Sequence, residues 1–412
     1  MTATPNIGNP GRHKLDHAVV GRSTSLFAED FEAARHSIAE VLGGARVLVI
    51  GGGGSIGSAT VQLLSAFQPR TLHVIDLSEN YLAELVRNLR GRRNGLGVED
   101  FRTLPLDYGS PLMRSFLAAA SPYDIVLNFA ALKHVRSEKD LFSLLQMIDT
   151  NVVRQARFKS WLVEFGHHCR YFAVSTDKAA NPTSLMGATK RLMEDVTLDM
   201  HVAAGQRTTS TRFANVAFSN GSLLAGFLER LQRRQPLAVP RETRRYFVTQ
   251  EESAEVCLIA ALAIPDQMVL IPRLNPTEAL QDLGALAERV LRAHGLRAVH
   301  YEDEEGARCD VEGLAARGAW PLLLTPLDTS GEKPYEEFIG ASETAEELGF
   351  SALMGLRHLP GGAHLGQSLE AFERMVTQTD LALTKQDVVD EIARAVPTLA
   401  HVETGRNLDQ RL

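Results

Sequence analysis

Apolar residues along the first half of the chain fall into short runs that alternate with helical periodicity. Between residues 28 and 42 they recur at Phe31, Ala34, Ile38, Val41 and Leu42, the spacing of one helix face. A β-branched run at 47–50 then meets four glycines, and helical periodicity resumes at Ile56, which reads as strand, tight turn, helix. Further buried strands are predicted at 72–76, 124–130, 171–176 and 209–216, with helical stretches between them. Strands alternating with helices predict an α/β fold, a Rossmann-type doubly wound parallel sheet covered on both faces.

Beyond Val216 the alternation weakens, and short helices mix with loops containing Pro and Gly. The predicted division is an arm and helix at 1–44, with 1–28 partly extended, followed by a Rossmann domain at 45–217 with a return segment near 247–271. A smaller, discontinuous domain is expected from 218–246 and 272–345, and a helical extension at 346–412 with helices near 369–376 and 385–395.

Composition narrows the function classes. With 412 residues, 44% hydrophobic and 23% charged, the chain has room for two or three domains with ample cores. A net charge of −7 argues against a nucleic-acid-binding surface spread over the molecule, so no nucleic-acid partner is expected. Cys169, Cys257 and Cys309 form no CxxC pair and no metal-ligand spacing, which suits a reduced, cytoplasmic setting and no metal. The first residues lack the apolar core of a signal peptide, and no window approaches 18 apolar residues; a soluble protein without a membrane partner is expected. His167 and His168 lie between a helix and a strand and read as solvent-facing.

Gly51, Gly54 and Gly57 are spaced G-x-x-G-x-x-G between strand and helix. Glycine lets the backbone turn sharply and approach a pyrophosphate, and the helix opening at Ser55 and Ile56 aims free N–H groups at it. Asp76 ends the second strand 19 residues after Gly57, where a carboxylate binds an adenosine ribose and repels a 2′-phosphate. The cofactor expected is therefore NAD, the alternative being a Gly-rich turn of an unrelated α/β protein. Asp107 could face the adenine or cap the next helix.

The segment 171–196 concentrates the chemistry. An apolar strand ends at Ser175, Thr176, Asp177 and Lys178, on the strand edge where ligands bind in open parallel sheets. A helix after Asn181-Pro182 carries Met186 and Lys190, which share a face at i, i+4. The sequence here resembles an extended short-chain dehydrogenase/reductase, and more narrowly the UDP-N-acetylglucosamine 4,6-dehydratases of bacterial polysaccharide biosynthesis. The resemblance runs in order through IGGGGSIGS (50–58), DLSE (76–79), AALKHV (130–135), TNV (150–152), STDKAANPTSLMGATKR (175–191), TRFANVAFSNGS (211–222), RRYFVT (244–249) and GEKPYEEF (331–338).

In that superfamily the helix carries Tyr-x-x-x-Lys, whereas this chain has Met186 and Lys190. The change matches a Ser-Met-Lys branch of the dehydratases, typically on membrane-anchored chains, and leaves the C4 hydroxyl without an assigned base. The resemblance implies that Asp177 and Lys178 are the acid and base of dehydration, Ser175 and Thr176 hold the C4 oxygen, and Lys190 fixes the nicotinamide ribose. It adds Ser78, Ala130 and Ala131 to the cofactor site. For the nucleotide sugar it implies Lys133, His134, Asn215, Ser219, Gly221, Ser222, Arg245 and Glu332. Without it His134 reads equally as structural, and Arg245 as one solvated arginine in a run. The chain departs from the family at Arg136, and at Thr329-Ser330, where the family has Arg-Pro. The expected activity is NAD-dependent 4,6-dehydration of a UDP-N-acetylhexosamine by a homo-oligomer. A sugar-nucleotide epimerase or dehydrogenase, and a catalytically silent NAD-binding protein, are the alternatives.

Overall fold

The computed structural model describes residues 11–93, 95–134, 138–200, 207–275, 279–326, 335–359, 365–378 and 382–401. Its strands are β1 (Arg46–Ile50), β2 (Thr71–Ile75), β3 (Asp100–Leu104), β4 (Ile125–Asn128), β5 (Arg170–Val174), β6 (Thr208–Thr211), β7 (Asn215–Val216), β8 (Leu237–Pro240), β9 (Arg244–Arg245), β10 (Phe247–Val248), β11 (Met268–Pro272), β12 (Gln281–Asp282), β13 (Arg297–Tyr301), β14 (Ala319–Thr325), β15 (Ala345–Glu346) and β16 (Leu353–Arg357). The helices used below are α1 (Arg12–Val20), α2 (Ala28–Leu42), α3 (Ser55–Ser65), α4 (Glu79–Arg90), α5 (Pro111–Ala119), α6 (Leu141–Ile148), α7 (Arg154–Glu164), α8 (Leu185–Asp199), α9 (Leu223–Gln232) and α10 (Gln250–Leu262).

The main sheet runs β15-β16-β11-β6-β5-β4-β1-β2-β3. It is parallel from β3 to β11, and β16 closes it antiparallel to β11. Alternate residues of each central strand face opposite layers, so Val47, Val49, Leu72, Val74, Ile125 and Leu127 join one core, shared with α2, α3 and α10. Leu48, Ile50, Ile75, Val126, Tyr171 and Ala173 join the other, against α5 and α7. Strand order reverses between β1 and β4, the topological switch point at which a doubly wound sheet opens a crevice. The α/β doubly wound expectation is met.

Four expectations are corrected. Residues 12–20 form α1 rather than an extended arm, because Leu15, Val19 and Val20 pack into a second core with the helix Leu283–Ala293. The strand expected at 209–216 breaks into β6 and β7 at Arg212, whose guanidinium is fully buried and turns the chain out of the main sheet. The segment after residue 345 is not only helical, since β16 pairs with β11 before the helices Leu365–Thr377 and Lys385–Ala395. His167 is buried, not solvent-facing. It stacks on the Tyr123 ring, accepts from the Tyr123 N–H and bonds the Leu117 carbonyl, and burial lowers its pKa.

β8, β13 and β14 form a separate three-stranded parallel sheet, with α9 and the helix Leu283–Ala293 in its core. On α8 every residue except Arg191 and Asp199 is buried, much of it under the two C-terminal helices through Phe372, Val388 and Ile392. Among the described residues no helix is long and apolar enough to cross a membrane.

A buried ion network ties these layers together. Arg212 makes a two-pronged pair with Glu194 of α8, at 2.8 and 2.6 Å, and a second with Glu343, at 2.5 and 2.8 Å. It also donates to the Phe338 carbonyl, and Arg191 reaches Glu343 at 2.5 Å. Burial alone would raise the Glu194 and Glu343 carboxyls, but the arginines outweigh it and bring Glu343 down to about 2. Arg212→Met, which takes from the buried Glu194 its two-pronged partner and from Glu343 one of two arginines, should cost about 3–5 kcal/mol in urea unfolding. Because Glu343 is depressed in the fold, its contribution is complete above pH 4.5 and fades as pH falls toward 2. The stability gap between wild type and Glu343→Gln should shrink over that window; a constant gap would show that the charge contributes nothing.

Candidate active site

The registers Ile50↔Ile75 and Ile50↔Asn128 align the ends of β1, β2 and β4 along one edge. Gly51 leaves β1 at φ 70°, and a Cβ there would lie 2.7 Å from the Ala130 nitrogen and 2.8 Å from the Phe129 carbonyl carbon. A Cβ on Gly57 would lie 2.3 Å from the Gly51 oxygen. These two glycines let the turn, α3 and the β4 loop close on one another. Gly54 donates to the Gly51 carbonyl and precedes α3, with Ser55 and Ile56 in its first turn. Asp76 accepts from the Gly53 and Ser78 N–H groups, both at 2.9 Å, and Ser78 caps α4. The residues fit a dinucleotide: a helix N-terminus, a cradle that a side chain would fill, and a carboxylate beside it.

Asp107 follows β3 on the same edge, but it does not cap α5, whose cap is Ser110. Its carboxylate accepts from the Gly109 N–H and pairs with Arg154 at 2.5 Å.

The loop after β4 is fixed by Asn151, a residue not singled out from the sequence. A π-helical turn, Asp149–Val153, aims its fully buried amide inward. Its oxygen accepts from the Leu132 N–H at 2.8 Å, and its nitrogen donates to the Leu132 carbonyl and the Thr189 hydroxyl. This settles Ala130, Ala131, Lys133 and His134 across the crevice. The Lys133 ammonium is 3.5 Å from the Ser219 hydroxyl, and His134 packs on Gly221, where a Cβ would meet its Nε2 at 2.7 Å. Gly221 has φ 70°, and Ser222 caps α9. Asn220 donates to Ser55 Oγ at 2.8 Å, so the starts of α3 and α9 face one crevice. Asn215 lies behind, bonded to the Tyr246 carbonyl. Glu332 lies outside the described residues.

At the end of β5 the polar cluster is compact. Thr176 donates to Asp177 Oδ1 at 2.8 Å, and Lys178 reaches that oxygen at 3.1 Å. Ser175 is buried beside the Glu194 carboxylate. Lys178 also lies 3.7 Å from Glu336, which falls in the quoted segment GEKPYEEF but was given no role there. Asp177 and Glu336 are buried, and Lys178 keeps 22% of its side chain exposed to the crevice. Burial would lower the Lys178 pKa, but the two carboxylates outweigh it and hold the lysine above its ordinary value, with Arg245 opposing them. A base is better served by a depressed pKa, and what holds this lysine up is Asp177 first and Glu336 second.

Met186 and Lys190 follow on α8. The Met186 N–H donates to Glu138, a buried acid whose pKa burial raises. Lys190 donates to the Val174 carbonyl at 2.7 Å, and burial lowers it to about 7. Among the described residues no cluster of His, Cys, Asp or Glu could hold a metal.

The polysaccharide biosynthesis protein family matches residues 47–357. The chain belongs to that family. It is 30% identical over 309 residues to an uncharacterized membrane protein of Methanocaldococcus jannaschii, covering 73% of this chain and 83% of the relative. It is 28% identical to the probable polysaccharide biosynthesis protein EpsC of Bacillus subtilis over 74% of its own length, but spans only 46% of EpsC. It is 26% identical over 271 residues to an inverting UDP-N-acetylglucosamine 4,6-dehydratase of Campylobacter jejuni, covering 61% and 74% of the two chains. Among solved structures, Pen from Bacillus thuringiensis shares the fold, with a TM-score of 0.62 at 20% identity over 87% of this chain and 99% of Pen. The family is one of nucleotide-sugar dehydratases and epimerases.

Gly51→Ala forces a Cβ onto backbone at positive φ, a penalty on the order of 1–3 kcal/mol. Dinucleotide affinity, read by fluorescence titration with NADH, should fall roughly 10- to 100-fold with the circular dichroism unchanged. Undiminished binding would put the dinucleotide elsewhere.

Proposed function

We propose that this protein is an NAD-dependent nucleotide-sugar 4,6-dehydratase acting on a UDP-N-acetylhexosamine, with UDP-N-acetylglucosamine the first substrate to try. The observation that carries the reading is the hydrogen-bonded chain Thr176–Asp177–Lys178 at the end of β5, beside a helix whose usual tyrosine is Met186. The names of the Campylobacter jejuni relatives support it.

The turn at Gly51 and the start of α3 would hold the dinucleotide diphosphate, Asp76 the adenosine ribose, and Lys190 the nicotinamide ribose. NAD⁺ bound there supplies the reversible hydride acceptance that oxidation at C4 and reduction at C6 require. Lys133, Ser219 and Ser222 face the second crevice wall and suit the substrate diphosphate.

Proton movements follow from the cluster. Methionine cannot take the C4 hydroxyl proton, but Thr176 can accept it while its own proton passes along the existing bond to Asp177. Asp177, then a carboxylic acid, protonates the departing C6 hydroxyl, which leaves as water. The Lys178 amine removes the C5 proton that the 4-keto group has made acidic, and returns a proton to C5 when C6 is reduced. An epimerase has no use for this second acid–base pair.

Incubation with UDP-N-acetylglucosamine in D₂O, without added NAD, should release water and give a 4-keto-6-deoxy product with one deuteron at C5 by proton NMR. Lys178→Ala should cut turnover by roughly 10²–10⁴-fold while retaining bound NAD. Wild-type turnover in that variant would remove Lys178 from the mechanism.

A further inference from the structure

We propose that Glu336 is the proton partner of Lys178: it takes the proton that Lys178 must lose before the lysine can act as a base. The inference rests on the dehydratase reading for its purpose, but not for its geometry. Glu336 Oε1 lies 3.7 Å from Lys178 Nζ, whose other carboxylate neighbour, Asp177 Oδ1, already accepts from Thr176. Its own side chain is 4% exposed, so it is not a solvated surface acid.

The position of Glu336 is built, not incidental. The stretch that follows it is held by Asn181, which donates to the Glu337 carboxylate at 3.0 Å and accepts from the Ala341 N–H at 3.1 Å. Arg212 donates to the Phe338 carbonyl, and the Phe338 ring packs on Tyr246 with centroids 5.4 Å apart. Gly340 lets the segment approach the strand-end turn, where a Cβ would come 2.7 Å from the Ala180 oxygen. Four residues from three other parts of the chain thus hold the segment that carries Glu336.

Among the described residues, the charged groups facing Lys178 are Asp177 on its own turn, Glu336 on this segment and Arg245 on β9. While the crevice is wet, two carboxylates keep Lys178 as an ammonium. A sugar nucleotide filling the crevice expels water, and separated charges in a dry site are disfavoured against the neutral acid–amine pair. The N–H bond of the ammonium then breaks as an O–H bond forms on Glu336, leaving an amine and a carboxylic acid with no change in total charge or redox state. The amine takes the C5 proton and later gives one back. When product leaves and water returns, the proton on Glu336 goes back to the lysine. Asp177 is thereby left free to carry the C4 hydroxyl proton to the C6 oxygen, and the two proton circuits do not compete for one carboxylate.

The test compares Glu336→Gln, Glu336→Asp and wild type in two ways. The first follows the titration of Lys178 by NMR after ¹³C reductive methylation of the full chain, with Lys178→Ala identifying its signal. Removing the Glu336 charge should lower the Lys178 midpoint by about one pH unit or more, a tenfold loss in proton affinity. The second is the pH profile of turnover. Glu336→Gln should lower kcat by roughly 10²-fold or more with KM little changed, and shift the acid limb to lower pH; Glu336→Asp should recover part of the rate. An unshifted Lys178 titration, or wild-type kcat in Glu336→Gln, overturns the proposal. A shifted titration in a protein that turns over no nucleotide sugar supports the pairing and sinks only the dehydratase reading.

Discussion

The architecture hangs on one buried cation. Arg212 sits where the chain leaves the main sheet, with no exposed surface, and is neutralised by two carboxylates from distant parts of the sequence. A lone guanidinium there would be heavily desolvated, so delivering Glu194 and Glu343 to it stabilises the fold. Glu194 brings α8 to the end of β6, and Lys190, one turn earlier, is thereby set against the Val174 carbonyl. Glu343 brings in the loop that carries Glu336 to Lys178. A single electrostatic requirement therefore bears on the surroundings of both Lys190 and Lys178.

Rigidity is distributed to match. α8 is enclosed on nearly every side, and the two C-terminal helices complete its apolar cover. Across the crevice the walls are loops, but each is pinned by a buried amide or a close glycine contact, Asn151 under the β4 loop and Gly221 against His134. Fixed geometry with partly exposed tips is what a site needs when it must hold reacting atoms yet admit a large, charged substrate.

What could be read in advance was what is local in sequence. The glycine turn and Asp76 obey a spacing rule because strand, turn, helix and strand succeed one another without a gap. The cluster 175–178 was visible because a strand end concentrates polar groups by itself. Asn151, Glu138 and Glu336 were missed because nothing near them in sequence reports the partner: each acts on a segment 19 to 158 residues away. Arg212 was read as one more residue of a strand, since a buried cation is recognisable only from its carboxylates. His167 was placed in solvent by its loop, although the Tyr123 ring and the Leu117 carbonyl were waiting to enclose it. Met186 is the reverse case, a residue whose meaning came from what it replaces.

The loop from Tyr335 to Glu343 has a bearing on the order in which the protein acquires its abilities during synthesis. The glycine turn, the strand-end cluster and the lysine of α8 are all made before residue 191, long before Glu336 and Glu343 are added. Arg212 cannot be neutralised by its second carboxylate until Glu343 has emerged, and β16, which closes the sheet beside β11, follows later still. A nascent chain that has not yet exposed residues 336–357 therefore lacks both the second carboxylate facing Lys178 and the strand that closes the sheet beside β11.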